Sequence, residues 1–145
     1  MLEVRFNQQL SVDARGRVTL PARLKAALDT HRVYSLVFIV HAGRIRGYTP
    51  ADFTERVEKP LAANDSFDPY EDEKQLLRLG AACEVDVDRQ GRLVLPAELR
   101  DLVGLSEKIT MISLLDRVEI WSTADFRGAW KAAQSRRDTL GGGGE

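Results

Sequence analysis

The sequence predicts an α+β fold in which two tandem copies of a small β-hairpin module, each with short helices, pair about a pseudo-twofold axis within one chain. Three observations predict it. A fourteen-residue block starting at Val12 returns at Val87 with eight identities, so that Asp13 recurs as Asp88. In both copies Asp stands at the first and Gly at the fourth position of a turn that joins short apolar stretches. Both copies then run through Leu-Pro-Ala into leucines spaced for one face of a helix.

Each element has a local reason. The opening strand of the second copy alternates, with Val85 and Val87 apolar around Asp86. Asp13 to Gly16 and Asp88 to Gly91 match a type I turn, in which the Asp side chain caps the turn and Gly takes the left-handed conformation that closes it. The return strands 18–20 and 93–95 meet Pro21 and Pro96, whose fixed φ and missing N–H suit the first position of a helix. Leu24 with Leu28, and Leu99 with Leu102 and Val103, supply the apolar stripes, and Gly104 stops the second helix.

A second hairpin follows in each copy, 33–40 with 44–48 and 109–115 with 117–121, after a two-residue slip in the repeat. Thr49 and Ser122 are N-cap residues for the helices that close the copies, with Phe53 and Val57, or Phe126 and Trp130, four apart to face a core. These aromatics, with Tyr48 and Trp121, therefore read as packing residues and not as a base-stacking platform. Between the copies, 64–72 is an acidic loop containing Pro69 and 73–79 a short helix. The resulting division is a first repeat at 1–61, a linker at 62–80, a second repeat at 81–135 and a flexible tail at 136–145. Each repeat is too small to bury a good core alone, so one composite domain is expected.

With 145 residues, 43% hydrophobic and 30% charged, the chain has the balance of an ordinary soluble domain. Its longest purely aliphatic or aromatic run, 36–40, cannot span a bilayer, and Met1 is not followed by a secretory signal, so a cytoplasmic protein with no membrane partner is expected. The single cysteine, Cys83, has apolar neighbours and reads as a buried small residue. The net charge of −1 hides an uneven distribution: residues 1–50 carry eight Lys/Arg against three Asp/Glu, whereas residues 51–75 carry three against eight. A basic surface is thus concentrated in the first third.

Both turns are basic as well, the first of them within that third. Arg15 and Arg17 stand at the first, Arg89 and Arg92 at the second. The planar fork of Arg engages phosphate, or the O6/N7 edge of guanine, with two hydrogen bonds, and a two-stranded ribbon fits the major groove. Asp13 and Asp88 would be repelled by DNA and are better placed to cap the turns and hold the arginines.

On these residues the chain resembles the MraZ family, related to AbrB-like swapped-hairpin transcription factors. Two Asp-x-x-Gly-Arg motifs, Leu79-Gly80-Ala81-Ala82-Cys83-Glu84 before the second and Val118-Glu119-Ile120-Trp121-Ser122 near the end carry the resemblance, which covers most of residues 5–130. It implies tandem swapped-hairpin β-barrel modules. It also implies a transcriptional regulator, commonly a repressor of the division and cell-wall gene cluster, that binds direct repeats in promoter double-stranded DNA as a ring-shaped homo-oligomer associated with the nucleoid. Carried over by position, Arg15, Gly16 and Arg17 with Asp13 form the first DNA-binding turn. Asp88, Gly91 and Arg92 form the second, beside which Arg89 is added as a DNA-binding residue from its place at the turn; Gln90 replaces the basic residue there, and the basic surroundings of the first turn favour it as the reader.

Other classes fit less well. His31, His41, Cys83 and the acids of 65–73 have neither metal-ligand spacing nor a nucleophile or phosphate-loop motif, so no enzyme, metal or cofactor is expected. An oligomeric interaction scaffold of the same fold is the main alternative, and the apolar stretch 109–115 would serve either a core or a subunit interface.

Overall fold

The computed structural model describes residues 2–65 and 67–140. The first copy contains β1 (Asn7–Ser11), β2 (Arg17–Thr19), α1 (Ala22–Thr30), β3 (Ser35–His41) and β4 (Arg44–Tyr48). It closes with α2 (Pro50–Phe53), a π-helical turn (Thr54–Glu58) and α3 (Lys59–Ala62). Pro60 cannot donate to the carbonyl of Arg56, which accounts for the loosened turn just before it. After α4 (Pro69–Leu79), the second copy repeats the order as β5 (Cys83–Asp86), β6 (Arg92–Val94), α5 (Ala97–Val103), β7 (Lys108–Leu114), β8 (Arg117–Ser122) and α6 (Thr123–Thr139).

The strands form a six-stranded sheet in the order β1-β7-β8-β4-β3-β5 and a separate two-stranded ribbon β2-β6, antiparallel at every pairing. Exchanging the two copies reverses this order and leaves it unchanged. The register obeys the same symmetry: Leu10 pairs with Ile109 in one half, and the equivalent residues Val85 and Leu36 pair in the other. Two pairs map onto themselves, Val18 with Leu93 in the ribbon and Arg46 with Glu119 in the sheet, so the pseudo-twofold axis passes through both.

The arms of each turn do not pair with one another. β1 joins β7 and β2 joins β6, so each hairpin opens into the other copy. A three-residue return arm offers few bonds of its own, whereas pairing with its counterpart completes a ladder. The main core follows from this exchange. Val18, Leu20, Leu24 and Leu28 of the first copy pack in one cluster with Leu93, Leu95 and Leu99 of the second and with Phe38, Ile45, Ile109, Met111 and Ile120 from the sheet. At roughly 1.5–3 kcal/mol for each fully buried aliphatic side chain, neither copy could keep that stabilisation alone. On the opposite sheet face, Val37, Ile39 and Tyr48 are covered by Phe53, Val57 and Leu61.

The α+β class is as the sequence predicts, but several expectations need correction. The strand order ends on β1 and β5, which do not pair, so the barrel modules are resolved as an open sheet plus a ribbon. Helix α4 begins at Pro69, inside the expected loop, because Asp68 Oδ1 accepts a hydrogen bond from Tyr70 N (2.9 Å) and Pro69 occupies the first turn. Leu102 is 57% exposed, since the chain turns back at Gly104 (φ 59°) and covers Val103 instead. Ser122 caps no helix N–H, because its Oγ accepts from Ser106 N (2.9 Å), whereas Thr49 Oγ1 does accept from Asp52 N (3.1 Å). Trp130 is 57% exposed, because α6 beyond Ala129 is exposed along its length up to Leu140. The same helix continues through residues 136–139, expected to be tail, while residues 141–145 lie outside the described residues. Among the described residues no helix is long and apolar enough to cross a membrane.

Candidate functional site

The two Asp-x-x-Gly-Arg turns have the same internal bonding. In the first, Gly16 N donates to Asp13 O (2.9 Å), and Asp13 Oδ1 accepts from the backbone N–H groups of Arg15 and Arg17, both at 2.9 Å. Asp13 Oδ2 accepts from Arg17 Nε at 2.6 Å. In the second, Gly91 N donates to Asp88 O (3.0 Å), Asp88 Oδ1 accepts from Gln90 N and Arg92 N (2.9 Å each), and Oδ2 accepts from Arg92 Nε (3.0 Å). Gly16 and Gly91 have φ of 85° and 79°, the left-handed region where a side chain is strained.

Both carboxylates are held below the ordinary range. The backbone N–H of Arg17 is the largest cause for Asp13, joined by the Arg17 guanidinium and the N–H of Arg15; the backbone N–H of Arg92 leads for Asp88. These ion pairs are solvent-exposed, so their main effect is orientation: each Asp takes the Nε edge of its Arg and leaves the terminal nitrogens to point elsewhere. Among the described residues Arg17 makes no further protein bond with them, whereas Arg92 Nη2 also donates to Gln90 Oε1.

The ribbon fixes one turn relative to the other. Leu95 N donates to Gly16 O and Leu20 N to Gly91 O, both at 2.8 Å, so each turn is tied to the strand of the other copy. Within the ribbon Val18 and Leu93 point to the core, and Arg17, Thr19, Arg92 and Val94 are exposed. Period-two alternation therefore puts Arg17 and Arg92 on one outward face, at opposite ends of the ribbon, where they line a common groove with Thr19.

Two basic residues escaped the sequence reading. A Cβ on Gly16 would lie 3.0 Å from Arg100 Nε, and a Cβ on Gly91 would lie 3.2 Å from Lys25 Cγ. Lys25 and Arg100 are equivalent positions, so each turn rests on a basic side chain from the other copy's helix. The signal was the last position of the repeated block, basic in both copies.

A second polar cluster lies on the sheet face away from the main core. Glu119 is 1% exposed and accepts from Arg44 Nε (3.0 Å), Arg117 Nε (2.8 Å) and Trp121 Nε1 (3.0 Å), with Arg46 Nε at 3.3 Å. Arg44 also stacks over the Trp121 ring, 4.4 Å from its centroid. Burial alone would raise the Glu119 pKa, but the hydrogen bonds from Arg117 and Trp121 and the charges of Arg44 and Arg117 hold it below its ordinary value. Each partner comes from β4 or β8, so this cluster staples the seam between copies.

The residues considered for catalysis are scattered. His31 ends α1 at the surface, and His41 sits at the end of β3. Burial first, then the charges of Arg46, Arg44 and Arg78, keeps the His41 pKa below its ordinary value. Cys83 is half-buried in β5, and burial pushes its thiol up. Among the described residues no three His, Cys, Asp or Glu side chains gather as a metal site.

Comparison with known proteins gives one answer. The profile of the family described as MraZ protein, antitoxin-like, matches residues 79–138. The transcriptional regulator MraZ of Alcanivorax borkumensis is 35% identical over 124 residues, covering 82% of this chain and 84% of the relative. That of Marinomonas sp. is 34% identical over 81% of this chain and 79% of the relative. That of Rhizobium johnstonii is 31% identical over 90% of each.

Proposed function

Because the chain belongs to the MraZ family of transcriptional regulators and not to a family of enzymes, we propose that it is a sequence-specific DNA-binding regulator that contacts promoter DNA through its two Asp-x-x-Gly-Arg turns. The observation that carries this reading is the ribbon face on which Arg17 and Arg92 are each anchored through Nε, with the tip of Arg17 unbonded among the described residues and that of Arg92 held in part by Gln90. A two-stranded ribbon enters a major groove, and a forked guanidinium reads guanine or grips phosphate. Asp13 and Asp88 do not touch DNA in this reading; they aim the arginines. Arg15 and Arg89, exposed at the turn tips, add charge toward the backbone.

The finer reading is a repressor of the division and cell-wall gene cluster, acting in the cytoplasm on the nucleoid and bound to direct promoter repeats as a ring of identical subunits. Exposed Phe67, Tyr70, Leu76 and Leu77 on and before α4 support self-association, since such a patch is costly to leave in water. Several weak turn contacts on one assembly act at high effective concentration.

The test is fluorescence anisotropy with a duplex from the protein's own division-cluster promoter and a scrambled duplex. Arg17→Ala should lose about 1–3 kcal/mol of binding on the promoter while unfolding at the same denaturant concentration. No preference for the promoter, from a folded oligomer, would replace this reading with an interaction scaffold.

A further inference from the structure

We propose that the two turns are unequal, and that Arg100 of the second copy is a third cation of the first turn, gripping a DNA backbone phosphate beside Arg15 and Arg17. The proposal rests on the reading of the turns as the DNA-facing elements. It comes from comparing two equivalent positions that the strand exchange places beneath opposite turns.

Arg100 Nε donates to Leu95 O at 3.1 Å, and Leu95 N in turn donates to Gly16 O at 2.8 Å. The side chain is thereby fixed under the first turn, with its Cζ 3.1 Å from where a Gly16 Cβ would be. It is half-buried and lines an open groove with Asp13, Ala14, Leu105 and Glu107. Neither carboxylate in that groove forms a salt bridge with it, and Asp13 is already committed to Arg15 and Arg17. Among the described residues the terminal nitrogens of Arg100 therefore have no charge partner.

Lys25, its counterpart under the second turn, is differently placed. Its Nζ is paired with Asp29 Oδ1 at 2.5 Å, and the position equivalent to Asp29 in the second copy is Gly104. One copy thus carries a built-in counterion that the other lacks. Arg92 is also engaged by Gln90, where the first turn has Arg15. The first turn gathers three cations to meet a phosphate, Arg15, the tip of Arg17 and Arg100, whereas the second offers Arg89, which stands where the first has Ala14, and a partly engaged Arg92. A helix-borne Arg fixed at Nε offers its remaining N–H groups to a phosphate with little further ordering.

Salt dependence separates a phosphate contact from a structural prop, because each phosphate neutralised adds to the slope of log Kobs against log salt. Binding of a fluorescent promoter duplex is titrated at several salt concentrations for the full chain, Arg17→Ala, Arg100→Met, Lys25→Met and Asp29→Asn. Arg100→Met should weaken binding about tenfold on promoter and scrambled duplexes alike and lower the slope by about one. Lys25→Met should leave the slope unchanged. Asp29→Asn, which frees Lys25, should raise it. An unchanged slope in Arg100→Met, with Arg17→Ala still impaired, overturns the proposal and leaves Arg100 as a support for Gly16; so does lost affinity at constant slope. Should Arg100→Met fail to fold, Arg100→Gln, which removes the charge but keeps a donor for Leu95 O, takes its place, and an unchanged slope there overturns the proposal equally. No binding by the unsubstituted protein instead strikes the DNA reading itself.

Discussion

Arg46 and Glu119 occupy the same position in the two copies and face each other across the pseudo-twofold axis, with Arg46 Nε 3.3 Å from Glu119 Oε2. A residue on such an axis meets its own counterpart. Identical charged residues there would repel, and the duplicated chain places opposite charges instead. Glu119 also answers Arg44 and Arg117, so one buried carboxylate serves three guanidinium groups. Glu119→Ala should destabilise the protein by about 2–4 kcal/mol, because it strands half-buried cations. Urea unfolding measures this, and a change under about 0.5 kcal/mol would mean that water replaces the carboxylate at little cost.

Stability should rise with pH in two separate windows. The His41 pKa in the folded state lies below its ordinary 6.5, so the unfolded chain takes up the proton first and stability begins to fall as pH drops below that value. The folded-state pKa of Glu119 is also depressed, below an ordinary 4.5; its contribution is complete above that pH and is lost as pH falls through the lower folded value. Denaturant midpoints measured from pH 8 to pH 3 should therefore decline in two stages. His41→Gln should remove the upper stage, and Glu119→Gln should shrink the lower, to which the depressed carboxyls of Asp13 and Asp88 also contribute. A single decline unaffected by either variant would contradict the assignment.

The two turn glycines should differ in what they tolerate. A methyl at Gly16 meets Leu95 O at 2.4 Å, a backbone atom held in the ribbon, whereas at Gly91 it meets Lys25 Cγ at 3.2 Å, which can swing aside. Both substitutions carry the left-handed cost of about 1–2 kcal/mol. Gly16→Ala should exceed Gly91→Ala by at least about 1 kcal/mol in the same unfolding experiment. Equal losses would show that the ribbon yields as easily as a lysine side chain.

Deleting residues 131–145 should change the unfolding free energy by less than about 0.5 kcal/mol, because residues 131–140 are exposed along their whole length. A larger loss would place a contact on this part of α6.

What the sequence discloses here is local chemistry. The Asp13 and Asp88 caps, the left-handed glycines and the Leu-Pro entries to α1 and α5 each depend on neighbours within a few residues, and the repeat makes them visible twice. Strand pairing is less legible. Asn7–Ser11 has Leu10 as its one large apolar residue, so nothing in its composition names β7 as its partner. Glu119 alternates with Val118 and Ile120 and so reads as solvent-facing; it is buried because Arg44, Arg117 and Trp121 close over that face. Lys25 and Arg100 were readable as a basic position in both copies, but their place beneath the opposite turn exists only after the hairpins exchange.

The pairing of Leu10 with Ile109 also bears on how the chain is made. A ribosome delivers β1 and β2 long before β7 and β6 emerge, so the first copy must wait with Val18, Leu20, Leu24 and Leu28 uncovered. Proofreading by proteases and holding by chaperones would act on that waiting half. Completion of translation through β8, which joins β7 to β4, more than any event within the first copy, is then the step at which the nascent chain becomes a folded protein.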